Sequence, residues 1–126
     1  MSETALSRAF AFAAVVEVMT GLALLANPAI VASLLLGSDL SDPGKAVARC
    51  FGIALLGLAL ACWPGGLSAG SRLSAWRGML SYNLLIAVYL AYLGTARNMR
   101  GLLLWPGVLL HAAVAVWLVL AGRRGR

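Results

Sequence analysis

Four long apolar segments limit what this chain can fold into more than any other feature. They cover residues 5–26, 46–63, 75–93 and 102–121, and each contains at most two charged residues. A helix needs about 20 apolar residues to cross a hydrocarbon layer about 30 Å thick, so each segment is long enough to span a membrane. The sequence therefore predicts an all-α protein, a four-transmembrane-helix bundle that forms one integral membrane domain over residues 1–126.

The composition supports this prediction and excludes two other classes of protein. Apolar residues make up 62% of the chain and charged residues 11%, whereas soluble domains contain roughly 45–50% and about 25%. A soluble domain of this size has too much surface to hide so many apolar side chains. Intrinsic disorder is excluded because disordered chains contain few apolar residues.

The first connection contains a second, shorter helix signal. Pro28 follows Asn27 and stops the first span, because proline disfavours helix in the residue before it. Residues 28–36 are apolar but too few to cross a membrane, and Gly37 is suited to end a helix. We expect a short interfacial helix here. A signal peptide is the alternative for the first span, but Glu17 in its centre favours an uncleaved transmembrane helix.

Basic residues outnumber acidic ones, 10 to 4, and they lie at the ends of the spans. On one side of the predicted membrane lie Arg8, Arg72, Arg77, Arg123, Arg124 and Arg126. On the other side lie Lys45, Arg49, Arg97 and Arg100, together with Asp39 and Asp42. The excess predicts that both termini are cytoplasmic and that anionic lipid headgroups are a partner. Nucleic acid is not expected, because no aromatic residues alternate with the basic ones.

Polar residues within the spans are the candidates for function, because ionisable and amide groups in hydrocarbon usually face the bundle interior or a cavity. Glu17 lies nine residues before Ala26, and His111 lies nine residues after Leu102. Asn83 lies ten residues before the end of the third span. At about 1.5 Å per residue, all three lie about 13–15 Å from the same face, close to the middle of the membrane.

Small residues four positions apart predict which side of each span faces other helices. The rows comprise Ala9, Ala13 and Gly21 with Glu17; Ala87 and Ala91 with Asn83; and Gly107 and Ala115 with His111. In the second span the corresponding row is Cys50, Ala54, Gly57 and Ala61. Each of the three polar residues therefore shares a stripe with small residues, which places it on the side that packs against other helices.

These positions suggest a buried polar cluster of Glu17, Asn83 and His111, with Tyr82 adjacent and Arg49 reaching toward it from the loop side. One interpretation is a ligand or proton site, in which Glu17 and His111 share a proton or form a charge-assisted hydrogen bond. A second is that the side chains only lock the helices in register through hydrogen bonds worth about 0.6 kcal/mol each. A third is that they do not meet.

The sequence does not indicate a cofactor or a metal. A single histidine does not provide bis-histidine haem ligation, and a histidine–methionine pair would need Met79 or Met19 at the depth of His111. Cys50 and Cys62 lie on one predicted span, roughly 18 Å apart, too far for a disulfide. No nucleophile is paired with a base, so an enzyme is not expected.

Residues 21–64 contain a characteristic pattern. It includes the sequence from Ala26-Asn27-Pro28 to Gly37, and then Ala48-Arg49-Cys50-Phe51-Gly52-Ile53-Ala54-Leu55-Leu56-Gly57-Leu58. With this pattern the chain resembles the DoxX-like small four-helix integral membrane proteins. The resemblance implies a four-helix bundle in the bacterial inner membrane, in a group in which some members are membrane subunits of quinone-linked oxidoreductases. No catalytic residues of the family match positions in this chain.

Two functions follow from these observations. The first is a non-enzymatic membrane subunit or binding module with a buried polar site at mid-bilayer, which would work with a membrane or redox protein partner. The alternative is a small transporter or channel that works as a homo-oligomer, with Glu17 as the residue coupled to a proton or cation. The sequence does not name the ligand.

Overall fold

The structure, a computed structural model, describes residues 2–124, and the side chains of residues 4–124. Arg126, which was counted in the predicted basic tail, lies outside the described residues. The chain forms five α-helices: α1 (Ser2–Ala26), α2 (Pro28–Leu36), α3 (Asp42–Ala61), α4 (Ala69–Ala96) and α5 (Leu104–Arg124). A short 3₁₀ turn, Pro64–Gly66, follows α3, and no strand occurs in residues 2–124.

Four of these helices, α1, α3, α4 and α5, are long and apolar enough to cross a membrane. Large apolar side chains such as Met19, Val47, Leu60, Leu85 and Leu109 are exposed on the outside of the bundle. Exposure of so much apolar surface to water is unfavourable, whereas its contact with lipid tails is not. The predicted all-α four-helix bundle is confirmed, and the chain is a small multi-pass integral membrane protein.

The short helix α2 has the predicted bounds, because both of its ends are set by local chemistry. The Asn27 side chain accepts a hydrogen bond from the Ile30 amide at 3.2 Å, which caps the helix start, and Pro28 occupies the first turn. At the other end Gly37 adopts a left-handed φ of 68°. In this conformation its backbone N–H donates a hydrogen bond to the Ser33 carbonyl, which ends the helix.

Three spans begin earlier than the sequence predicted, α1 by three residues at Ser2. Helix α3 begins at Asp42 rather than at residue 46, because Ser41 caps it by accepting from the Gly44 amide at 3.2 Å. Helix α4 begins at Ala69 rather than at residue 75. There Ser68 and Ser71 form a reciprocal capping box, so residues 69–74, which precede the predicted start of the span, are helical. Helix α4 also continues past Gly94 to Ala96.

The spans pack in the order α3, α1, α5, α4, so the helix that follows another in sequence is not always its neighbour in space. Helix α1 packs extensively on α3 and also on α5, and α5 packs on α4. In contrast, α3 and α4 barely touch, although only the turn containing Pro64–Gly66 separates them. Helices α1 and α5 are therefore the central pair, and α3 and α4 lie at the two edges.

Helices α1 and α3 approach most closely where two glycines face each other. A Cβ added at Gly21 would lie 2.8 Å from the Gly52 carbonyl oxygen, and one added at Gly52 would lie 2.8 Å from the Gly21 carbonyl oxygen. Neither position has room for a side chain. Close contact of backbones through small residues is the usual way for helices to associate in membranes.

The predicted inward stripe of the second span is wrong. Cys50, Ala54, Gly57 and Ala61 are all exposed, whereas the buried residues of this region are Gly52, Leu55, Ala59 and Cys62. The reason is that the α1–α3 contact is built on the Gly21–Gly52 pair, which turns Leu55 and Ala59 inward and the longer row of small residues outward. The predicted rows around Glu17 and Asn83 do face the interior, as the burial of Ala13 and Ala87 shows.

The α4–α5 pair is held at both ends. The Trp76 indole donates a hydrogen bond to the Leu118 carbonyl at 2.8 Å. Near the other end, a Cβ on Gly94 would lie 2.7 Å from a Leu104 methyl carbon, so α4 has no side chain where α5 begins. These two contacts show that α4 and α5 run antiparallel and fix the level at which residues between them, including Asn83 and His111, face each other.

Candidate functional site

Asn83 and His111 connect α4 to α5 through a side-chain hydrogen bond. The His111 Nδ1 and Asn83 Oδ1 atoms are 2.8 Å apart. The Asn83 amide nitrogen donates to the Met79 carbonyl, one turn earlier in α4, at 2.9 Å. Because the amide nitrogen is engaged by Met79, the Asn83 oxygen faces His111, and the imidazole must donate from Nδ1. In the neutral ring, Nε2 is then a hydrogen-bond acceptor.

Tyr82 lies between His111 and Glu17. Its ring meets the His111 ring edge to face, with the ring centroids 5.7 Å apart. Its hydroxyl interacts electrostatically with the Glu17 carboxyl group. The phenol lies close enough to direct its hydroxyl toward the carboxyl group, but the geometry falls short of a well-formed hydrogen bond, so both Glu17 oxygens lack a full partner in the described part of the chain. The phenol of Tyr82 thus lies between the Glu17 carboxyl group on α1 and the His111 imidazole on α5.

Glu17 is the most unusual residue of the cluster. Its side chain is 1% exposed, and both of its oxygens are buried without a partner among the described residues. An unsatisfied buried polar group costs about 1–3 kcal/mol and more when it is charged. Nearly all buried polar groups in proteins are paired, so an unpaired carboxyl group requires an explanation outside the helix packing.

Arg49 does not join the cluster. Its Nε donates to the Leu25 carbonyl at 3.3 Å, at the end of α1, eight residues and about 12 Å along the helix from Glu17. The expectation that Arg49 reaches toward Glu17 is therefore not met in the structure. An unpaired carbonyl at a helix C-terminus carries partial negative charge, which attracts the guanidinium more strongly than a distant carboxyl group does.

The site lies between α1, α4 and α5, the three helices that supply Glu17, Tyr82 and His111. On α1, the small residues Ala13 and Ala14 are almost fully buried and let the other helices approach. Helix α3 contributes none of the polar residues. The sequence could not indicate the Met79 carbonyl as a partner, because every residue has a carbonyl and only the structure shows which one is close.

The cluster combines groups that accept, donate and exchange protons in an apolar setting. The Glu17 carboxyl group, the Tyr82 hydroxyl and the imidazole of His111 follow one another from α1 to α5. No group of three histidine, cysteine, aspartate or glutamate side chains within the described residues is placed to hold a metal ion. The arrangement is suited to hydrogen bonding with a small group or to proton exchange along the three side chains.

The fold and this cluster define the class: a small multi-pass membrane protein with a polar cluster inside its bundle. No protein-family model, curated protein or solved structure was found to match this chain.

Proposed function

We propose that this protein is a non-enzymatic binding module of the bacterial inner membrane, and that Glu17 holds a small ligand in the bundle. The observation that carries the proposal is the Glu17 carboxyl group, 1% exposed, with two oxygens that no described residue satisfies. A ligand with a hydrogen-bond donor would satisfy them. A register-locking residue forms a full hydrogen bond to another helix, and the approach of the Tyr82 hydroxyl does not give Glu17 one among the described residues.

The chemistry of the site limits the ligand. The two Glu17 oxygens can accept hydrogen bonds, so a ligand with an O–H or N–H group would satisfy them. The imidazole Nε2 of His111 can accept a second one, since Nδ1 is engaged by Asn83. The side chains around the cluster, such as Met79 and Val114, are apolar. The ligand class is therefore a lipophilic molecule with a phenol, alcohol or amine head.

A quinol is the first ligand to test. The resemblance to DoxX-like proteins supports this choice, because some of them are membrane subunits of quinone-linked oxidoreductases. A quinol has O–H groups for Glu17 and His111, and the matching quinone has only acceptors. Comparing how tightly the quinol and the quinone bind therefore tests whether the site accepts hydrogen bonds from its ligand.

The experiment measures binding of a short-chain ubiquinol and of the matching ubiquinone to the purified protein in lipid nanodiscs. We expect the quinol to bind more tightly than the quinone. We expect Glu17→Gln and His111→Ala to lose the quinol, and Gly57→Ala to keep it, because a Cβ at Gly57 meets nothing within 4 Å. If both site variants fold and bind like the wild type, the proposal is wrong.

A second candidate function is proton-coupled transport. The observation that favours it is the position of Tyr82, which contacts both Glu17 and His111 and so links two proton-exchanging groups on different helices. The test is proton flux in proteoliposomes that carry a pH-sensitive dye. A Glu17-dependent flux would replace the binding module by a transporter, and a strictly monomeric protein without flux would exclude a transporter.

We propose further that the protein is a member of the DoxX-like group and that both of its termini are cytoplasmic. Membership of the DoxX-like group fits the four-helix bundle with a short second helix. A cytoplasmic location of both termini fits the arginines at the end of the bundle where α1 begins and α5 ends. The partner would be a redox protein or a second copy of the chain. Reporter fusions to each terminus and to residues 38–40 test the orientation.

A further inference from the structure

Among the described residues, five arginines lie at one end of the bundle. They are Arg8 on α1, Arg72 and Arg77 on α4, and Arg123 and Arg124 on α5, and we call them the arginine face. They lie at one end because α1 and α4 begin there and α5 ends there. The Trp76–Leu118 hydrogen bond fixes this alignment, since it holds the first turns of α4 against the last turns of α5.

The acidic side chains that the structure describes lie away from the arginine face. Asp39 and Asp42 lie at the opposite end, and Glu17 lies inside the bundle. Within the described residues, no ion pair or hydrogen bond involves the side chains of Arg77, Arg123 or Arg124. These three arginines are exposed, so their guanidinium groups are open to a partner from outside the chain.

At the opposite end of the bundle, two of the cations have partners within the chain. Lys45 forms an ion pair with Asp42 at 3.0 Å, and the Arg49 guanidinium donates a hydrogen bond to the Leu25 carbonyl. Arg97 and Arg100 are exposed and have no ion pair within the described residues, and Asp39 is the second acid at this end. Among the described side chains, the opposite end therefore has four cations and two acids, whereas the arginine face has five cations and no acid.

We propose that the arginine face binds the phosphate groups of anionic phospholipids in the leaflet that surrounds it. A guanidinium fits a phosphate through two parallel hydrogen bonds, and arginine remains charged at any physiological pH. The arginines come from three helices at the end of the bundle where Trp76 also lies, and tryptophan is typical of the headgroup level. The occupant is thus a lipid phosphodiester, supplied by the membrane that covers the apolar sides of the same helices.

The test compares two matched double variants. In R123Q/R124Q two arginines of the arginine face are neutralised, and in R97Q/R100Q two exposed arginines of the opposite end. Native mass spectrometry of the detergent-solubilised protein, given equal amounts of phosphatidylglycerol and phosphatidylcholine, measures the ratio of the two lipids bound. We expect the wild type to prefer phosphatidylglycerol. Each arginine lost from the arginine face should lower that preference about fivefold, by the usual strength of such contacts.

The control and two further measurements make each outcome decisive. R97Q/R100Q should keep the wild-type preference, and R77Q is a second variant of the arginine face if R123Q/R124Q does not fold. Equal binding of both lipids by the wild type, or equal losses in both double variants, would overturn the proposal. So would inorganic phosphate that competes with phosphatidylglycerol more strongly than chloride at equal ionic strength, because the site would then take free phosphate.

Discussion

His111 Nδ1 and Asn83 Oδ1, on neighbouring helices, lie 2.8 Å apart, and the Asn83 amide nitrogen is fixed by the Met79 carbonyl. This pair sets the tautomer of the imidazole, since the donor must be Nδ1. The hydrogen bond thus both joins α4 to α5 and determines what the remaining nitrogen of His111 offers to a ligand.

The first prediction concerns the strength of this pair. In a cycle of Asn83→Leu, His111→Phe and the double variant, we expect a coupling free energy of about 0.6 kcal/mol, the usual value for hydrogen bonds between membrane helices. Unfolding in mixed micelles of increasing denaturing detergent measures it. A coupling indistinguishable from zero would contradict the hydrogen bond as a source of stability.

The second prediction concerns Glu17 in the absence of ligand. Glu17→Leu should raise the free energy of unfolding by about 1–3 kcal/mol, because it removes a buried carboxyl group that has no well-formed hydrogen bond to any described residue. Glu17→Gln is the matched control, because it retains an unpaired polar group and should bring no such gain. Thermal unfolding in detergent distinguishes them. A loss of stability in Glu17→Leu would show that the carboxyl group has a stabilising partner.

The third prediction concerns the α1–α3 contact. Gly52→Ala should lower the free energy of unfolding by about 1–3 kcal/mol, because the added methyl group meets the Gly21 carbonyl oxygen and forces the helices apart. Gly57→Ala, on the same helix, points into open space and should be neutral or stabilising by up to about 1 kcal/mol. Similar losses in both variants would mean that the close approach is not at Gly52.

The fourth prediction concerns Arg49. Arg49→Leu should destabilise the protein by about 0.3–1 kcal/mol, since it removes a cation from the C-terminal end of α1. Arg49→Lys should keep most of the stability because it keeps the positive charge. The comparison of both variants in the same unfolding assay, at low and high salt, checks the electrostatic origin. Equal losses in the two variants at low salt would argue against it.

The helix number and the two ends of α2 could be predicted from the sequence, because they depend on strong local signals. Long apolar runs indicate spans whatever their neighbours are, and Asn27-Pro28 and Gly37 are terminal signals that need no tertiary contact. The starts of α3 and α4 were missed because Ser41 and Ser68 precede polar first turns. A search for apolar residues does not detect a polar turn that is capped by a serine.

The candidate site was predictable in its depth and only partly in its contacts. Counting residues from the connections correctly indicated that Asn83 and His111 face each other, because α4 and α5 are neighbours joined by a short loop. The same counting could not place Arg49, because its partner is a backbone carbonyl of Leu25. It also could not show that α3 turns its row of small residues outward, since this depends on a single glycine pair.

The weak contact between α3 and α4 gives the molecule the geometry of two hairpins joined in one chain. The first hairpin ends near Gly66 and the second begins near Ala69, and they meet along α1 and α5 and through the Leu103 amide, which donates to the Leu34 carbonyl at 2.8 Å. The surfaces through which the two hairpins pack are therefore distant from the turn that connects α3 to α4. Two halves expressed as separate polypeptides would keep every surface they need to find each other, so this junction is the natural place for a split version of the protein.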